Sequence, residues 1–112
     1  MPRSSLRRYF RHGLFPQLMV FEAVARLRSV TRAAEELHLA QPTVSTQIRK
    51  LSDCLGLALF EHRGRGLEPT AAGTELRAAC EKLIALLERT EEQLAARRAP
   101  QADAHDWVQG LA

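Results

Sequence analysis

Gln41-Pro42-Thr43-Val44-Ser45-Thr46-Gln47-Ile48-Arg49-Lys50-Leu51-Ser52-Asp53-Cys54-Leu55 is the stretch on which the fold turns. Val44, Ile48, Leu51 and Leu55 recur at intervals of 4, 3 and 4, which lines them up as one apolar stripe on a helix. The opposite face carries Gln41, Thr43, Ser45, Thr46, Gln47, Arg49 and Lys50. Pro42 suits the first helical turn, where a missing N–H costs nothing, and Gly56 is placed to close the last one.

Upstream, His38-Leu39-Ala40 is a three-residue break, preceded by a short helical pattern from Val30 to Leu37. Ser29 stands where it can cap that helix, and Val30, Ala33, Ala34 and Leu37 point inward. The adjacent alanines let a neighbouring helix approach closely. A longer helix, Phe15 to Arg28, supplies Leu18, Phe21, Val24 and Ala25 as its apolar face. Two helices joined by a tight turn, the second with a polar and basic outer face, read as a helix-turn-helix.

Downstream, the apolar run Leu57 to Phe60 and the segment Leu67 to Pro69 flank His62-Arg63-Gly64-Arg65-Gly66, which predicts a β-hairpin with a basic tip. Thr70 then caps a helix from Ala71 to about Arg98. Along it Leu76, Cys80, Leu83, Leu87, Thr90 and Leu94 follow 4, 3, 4, 3, 4 spacing, a heptad seam suited to a second helix. Packing against the chain's own body is the alternative for this seam, but a helix this long carries more apolar surface than one small domain covers. The organisation expected is a basic tail at 1–13, a helical domain with a hairpin at 14–73, a dimerisation helix at 74–99 and a linker at 100–112. The fold class expected is mainly α: a winged helix-turn-helix with a two-stranded wing and a long C-terminal helix.

Composition narrows the function. The chain has 112 residues, 26% charged and 46% hydrophobic, which is ordinary globular protein with room for one domain and an appendage. Aromatic residues make up only 5%, which disfavours a large aromatic-lined pocket. No apolar run nears the roughly 20 residues that cross a bilayer, and the arginine-bearing start lacks the apolar core of a secretory signal. Cys54 and Cys80 have neither CxxC spacing nor a histidine at ligand spacing, so no metal and no disulfide framework are expected, and a reducing cytoplasm is. Residues 1–73 hold 11 Lys/Arg against 6 Asp/Glu, a balance of +5, whereas residues 74–112 hold 5 against 7, a balance of −2. A basic front is what a nucleic-acid-binding module presents, although many solvated surfaces are basic too.

The chemistry of the outer face fits DNA. The amides of Gln41 and Gln47 suit adenine edges, Thr43, Ser45 and Thr46 allow close approach, and Arg49 and Lys50 near the helix end suit phosphate. Any amphipathic surface helix has a polar outer face, so this helix alone does not decide; the hairpin does. Arg63 and Arg65, flanked by Gly64 and Gly66, can reach a narrow minor groove whose negative potential attracts arginine.

Phe21-Glu22-Ala23-Val24-Ala25, Ser29, Thr31-Arg32-Ala33-Ala34-Glu35-Glu36-Leu37, Gln41-Pro42-Thr43-Val44-Ser45, Leu55-Gly56, Leu59-Phe60-Glu61 and Thr70-Ala71-Ala72-Gly73 closely resemble the N-terminal DNA-binding domain of LysR-type transcriptional regulators. The resemblance runs in register over about residues 14 to 98. Within the family, the combination with Ser52 where most members have Glu looks most like regulators of Calvin-cycle carbon-fixation operons. The resemblance implies a winged helix-turn-helix followed by a linker helix that pairs antiparallel with its copy, in a homodimer or higher homo-oligomer on an interrupted palindrome of double-stranded DNA. By position, it sets Gln41, Pro42, Thr43, Ser45 and Thr46 against bases and backbone, Arg65 in the minor groove, and Thr31 and Arg32 against phosphate.

Four positions depart from the family pattern. Ala40 replaces the capping serine, Thr46 a frequent Arg or Gln, His62 an Arg, and Pro69 an apolar residue, which shortens the expected return strand. The family's effector domain, the part that takes a small-molecule inducer, would begin where this sequence stops. The expectation is a piece of a longer regulator, with a naturally short protein as the alternative. In that alternative the chain is a dimerisation module that forms mixed dimers with full-length regulators through residues 76–94. An enzyme is not expected: no Ser/His/Asp group, phosphate loop or carboxylate pair has suitable spacing, and His12, His38, His62 and His105 are scattered. No cofactor is implied.

Overall fold

A computed structural model describes residues 13–98; the basic tail before Gly13, the linker from residue 99 onward, and with them His12, His105 and Trp107 lie outside the described residues. The elements in order are α1 (Leu14–Leu27), α2 (Val30–Leu37), α3 (Gln41–Leu55), β1 (Phe60–Arg63), β2 (Gly66–Pro69) and α4 (Ala71–Ala96). Among the described residues, those up to Glu81 form one compact unit and those from Lys82 a second.

In the first unit α1 serves two faces of the core. Leu14, Phe21 and Ala25 pack with Leu51 of α3, Leu59 and Cys80 of α4, with Leu76 partly buried against them. Val20, Ala23 and Val24 pack with Ala33 and Ala34 of α2 and Val44 of α3. The small side chains at 23, 33 and 34 let α1 and α2 close on each other, as the paired alanines predict. Phe60 touches both groups, and its ring centroid lies 5.3 Å from that of Phe21 at a tilt of 39°. Outside the core, Arg26 of α1 holds Glu22 at 3.0 Å and grips Glu36 of α2 with both terminal nitrogens.

The helix ends follow local chemistry. Ser29 caps α2, its hydroxyl accepting from the Arg32 N–H at 3.1 Å. At the other end His38 takes the left-handed conformation (φ 56°) and the Leu39 N–H reaches back to the Ala34 carbonyl at 2.9 Å. Gly56 (φ 70°) closes α3 in the same way, with the Leu57 N–H on the Ser52 carbonyl at 3.2 Å. Arg28 closes α1, also left-handed at φ 53°. The three-residue break at 38–40 is thus a tight turn between α2 and α3.

The hairpin differs from its expected bounds. The first strand is Phe60–Arg63 rather than Leu57 to Phe60, and the turn is only Gly64-Arg65. Its register pairs Arg63 with Gly66 and Phe60 with Pro69. Gly64 alone in the turn has positive φ (59°), the requirement of a two-residue turn with glycine first. Pro69 does not shorten the return strand. It occupies the last paired position, where a proline is tolerated. Beyond it the Thr70 N–H donates to the Leu59 carbonyl at 3.0 Å. The Thr70 hydroxyl donates to the Ala58 carbonyl at 2.6 Å and accepts from the Gly73 N–H at 3.1 Å, so one side chain caps α4 and ties it to the approach of β1.

The second unit begins within α4. Leu86, Leu87 and Leu94 are exposed, and the half-buried Thr90 donates its hydroxyl to the Leu86 carbonyl at 2.8 Å.

Candidate nucleic-acid interface

The apolar stripe of α3 orients everything on its far side. Val44 and Leu51 are fully buried, and Ile48 and Leu55 pack at the margins of the two core groups. With that stripe held, Gln41, Pro42, Thr43, Ser45, Thr46, Arg49 and Lys50 are all exposed together. Gln47, which the sequence reading also turned outward, is half-buried. Thr31 and Arg32, in the first turn of α2, are exposed as well. The N-terminus of α3 has no capping side chain: Ala40 holds the extended cap conformation (φ −71°, ψ 145°) without an oxygen to use it.

The wing is seated from below by Phe60 and Leu67, which pack against the core group that contains Val44 of α3. This fixes the hairpin beside the helix and puts its polar side in solvent. Arg65, in the turn, and Arg63, at the end of β1, are both exposed, but their surroundings differ. The Arg63 guanidinium lies 3.7 Å from Glu61 and 3.9 Å from Glu68. Glu68 also stands 3.8 Å from Arg28. Among the described residues Arg65 has no carboxylate partner, and neither have Arg32, Arg49 and Lys50. The structure therefore separates two kinds of cation, four that face solvent uncommitted and two that share acids at the wing. No spacing in the sequence reports that difference, because the hairpin register sets Glu61 opposite Glu68 and the fold brings Arg28, forty residues earlier, to Glu68.

The residues read as a dimer seam fall into two environments. Leu76 and Cys80 belong to the chain's own core, Cys80 being 4% exposed, and burial pushes its thiol up from its ordinary range, with Glu22 and Glu81 adding to the effect. The heptad pattern cannot distinguish a side chain buried within the chain from one buried by a partner. Further along α4, Leu83 and Thr90 are half-buried and Leu87 and Leu94 exposed, with Leu86 an exposed neighbour that the heptad count passed over. Among the described residues there is no group of His, Cys, Asp and Glu able to hold a metal ion, and no helix long and apolar enough to cross a membrane.

A short helix, a tight turn and a helix with its polar face bared, backed by a third helix and flanked by a basic hairpin, define the winged helix-turn-helix class of DNA-binding domains. Residues 15–74 match the family described as bacterial regulatory helix-turn-helix protein, lysR family. The chain belongs to that family. It is 58% identical over 65 residues to the RuBisCO operon transcriptional regulator of Allochromatium vinosum, covering 58% of this chain and 22% of that protein. It is 44% identical over 86 residues to the protein of the same name from Acidithiobacillus ferrooxidans, covering 77% of this chain and 28% of that one. The chain thus spans about a quarter of the length of these curated relatives. Among solved structures it resembles the BenM_DBD/benA site 1 DNA complex (TM-score 0.69, 30% identity, 74% of this chain and 96% of that one). It likewise resembles the CbnR_DBD–DNA complex (TM-score 0.66, 36% identity, 75% and 98%). The expected mainly helical winged fold is the one observed.

Proposed function

We propose that the chain reads double-stranded DNA in a sequence-specific way as a homodimer, as the DNA-binding part of a cytoplasmic transcriptional regulator. One observation carries this reading: the exposed face of Gln41, Thr43, Ser45, Thr46, Arg49 and Lys50 stands on a helix whose other side is locked into the core, beside a hairpin that bears the unpartnered Arg65. In this reading α3 enters the major groove, where amide and hydroxyl groups meet base edges and Arg49 and Lys50 meet phosphate. Arg65 enters the adjacent minor groove, and Thr31 and Arg32 lie along the backbone. Two copies joined through α4 would place two such faces on the half-sites of an interrupted palindrome. The two relatives named for the RuBisCO operon support a target in promoters of carbon-fixation genes, and the inducer of such a regulator would bind outside the segment the chain shares with them. The relatives are transcriptional regulators, and the proposed role is binding rather than catalysis.

The test uses a duplex selected by the wild-type chain from a random pool. Arg65→Ala is expected to weaken binding to that duplex by about tenfold while changing binding to mixed-sequence DNA far less. Arg3→Ala, in the basic tail, is expected to cost less on the selected duplex than Arg65→Ala. Equal losses on both DNAs for both variants would remove Arg65 from sequence reading.

A further inference from the structure

Glu68 occupies an unusual place for an acid. It sits on β2 directly across the ladder from Glu61, and its two carboxylate oxygens face two different arginines. Oε1 stands 3.8 Å from Arg28 and Oε2 stands 3.9 Å from Arg63. Arg28 is itself out of the ordinary. It closes α1 in the left-handed conformation at φ 53°, where glycine is unstrained and a long side chain is not. In the chain Arg28 directly precedes Ser29, the cap of α2, whose first turn bears Thr31 and Arg32. Glu61 adds a second acid 3.7 Å from Arg63. None of these four side chains is enclosed: Glu68 is 40% exposed, Arg28 60%, Arg63 71% and Glu61 50%. The pairs are therefore loose enough for a phosphate to compete with them.

We propose that Glu68 is the residue that sets how much of the wing's positive charge is offered to DNA: it engages Arg28 and Arg63, leaving Arg65 as the free cation of the turn. The inference rests on the DNA-binding reading above and concerns specificity within it. Each cation that neutralises a phosphate releases counterions and strengthens binding to any sequence. A carboxylate that occupies two of them lowers the affinity common to all sequences. It leaves untouched the contacts of α3 and Arg65, which distinguish one sequence from another. Glu68 so acts through the arginines as a positioning residue, and its effect is on the ratio of specific to non-specific binding.

The experiment measures binding of the full chain to a mixed-sequence duplex across a salt series. It compares wild type, Glu68→Gln, the pair Arg28→Ala with Arg63→Ala, and that pair combined with Glu68→Gln. Glu68→Gln is expected to bind this duplex more tightly and to steepen the dependence of log K on log salt by about one, the unit that Arg28 adds on taking up a phosphate, while Arg63 keeps Glu61 beside it. In the background lacking both arginines the same substitution should leave the slope unchanged. An unaltered slope in Glu68→Gln overturns the proposal. So does a gain of equal size without the arginines, because that gain would come from net charge alone. The arginine Nε–H resonances of Arg28 and Arg63 give a second readout in the free wild-type chain, where Glu68→Gln should shift both. A wild-type chain with no salt-dependent affinity for DNA would instead overturn the DNA-binding reading, and this proposal with it.

Discussion

At Gly73 the first turn of α4 passes so close to the segment before β1 that a side chain has nowhere to go. A Cβ built there would overlap the Leu59 carbonyl oxygen and lie 3.2 Å from the Pro69 Cβ. The obstructing atom is backbone, and it is held by its hydrogen bond from the Thr70 N–H, so it cannot swing aside as a flexible side chain would. Gly73→Ala is expected to cost about 3 kcal/mol of stability in chemical denaturation, at the upper end of ordinary overpacking. A cost below about 0.5 kcal/mol would mean that α4 starts elsewhere. The opposite change is available at Ala40. Its backbone already has the extended conformation of an N-cap, and only the accepting oxygen is missing. Ala40→Ser is expected to stabilise the chain by about 1 kcal/mol, read as a raised Tm. Both positions were partly legible in the sequence. The Thr-Ala-Ala-Gly pattern and the missing serine stand out, but the reason for the glycine is a carbonyl fourteen residues away in sequence, which no local pattern reveals.

The elements were legible to unequal degrees, and hydrogen bonding explains the difference. The bounds of α2 and α3 coincide with those read from the sequence, because each has a continuous apolar stripe, a proline or serine at its start and a break at its end. Leu57 to Phe60 looks like a strand by hydropathy, yet the strand is Phe60–Arg63. In the folded chain Leu57 is exposed, Leu59 is buried as a single core contact, and the two-residue turn at Gly64-Arg65 sets the register that begins pairing at Phe60. The left-handed ends at Arg28 and His38 carry no sequence signal, because the usual one is glycine. What joins α1 to α2 outside the core is Arg26. Its guanidinium hydrogen-bonds Glu36, which holds that carboxyl below its usual range. A carboxyl with a depressed folded-state pKa contributes stability that is present above its unfolded value and is lost as pH falls through the lowered folded value. Glu36→Gln is therefore expected to lower Tm at neutral pH and to flatten the acid side of the Tm–pH curve. The wild-type chain should lose the advantage as acid protonates Glu36. Parallel Tm–pH curves for the two proteins would show that this contact contributes nothing to folding.

For the whole molecule, the question is what α4 does with its leucines beyond Glu81. Leu87 and Leu94 are seven residues apart and so share one helix face, with Thr90 between them and Leu83 a turn before. They are 57% and 60% exposed in the single chain, although Leu76 and Cys80 earlier in the same heptad pattern are used by the chain's own core. Thr90 does not spoil such a face, because its hydroxyl is already satisfied by the Leu86 carbonyl and brings no unmet donor to an apolar contact. The charged residues Glu88, Arg89 and Glu92 are exposed on the side away from this face, and Glu91 is exposed at its flank. A second copy with the same face is the simplest partner that satisfies all of this. Leu87→Glu combined with Leu94→Glu is expected to convert a dimer to a monomer in sedimentation equilibrium while the melting of the body through Glu81 is retained. If two half-sites are read together, the variant should bind the selected duplex no better than a single half-site, with a salt slope about half that of wild type. A variant that remains dimeric would remove this face from assembly. A monomer that keeps the full slope would show that one copy alone makes every contact with DNA.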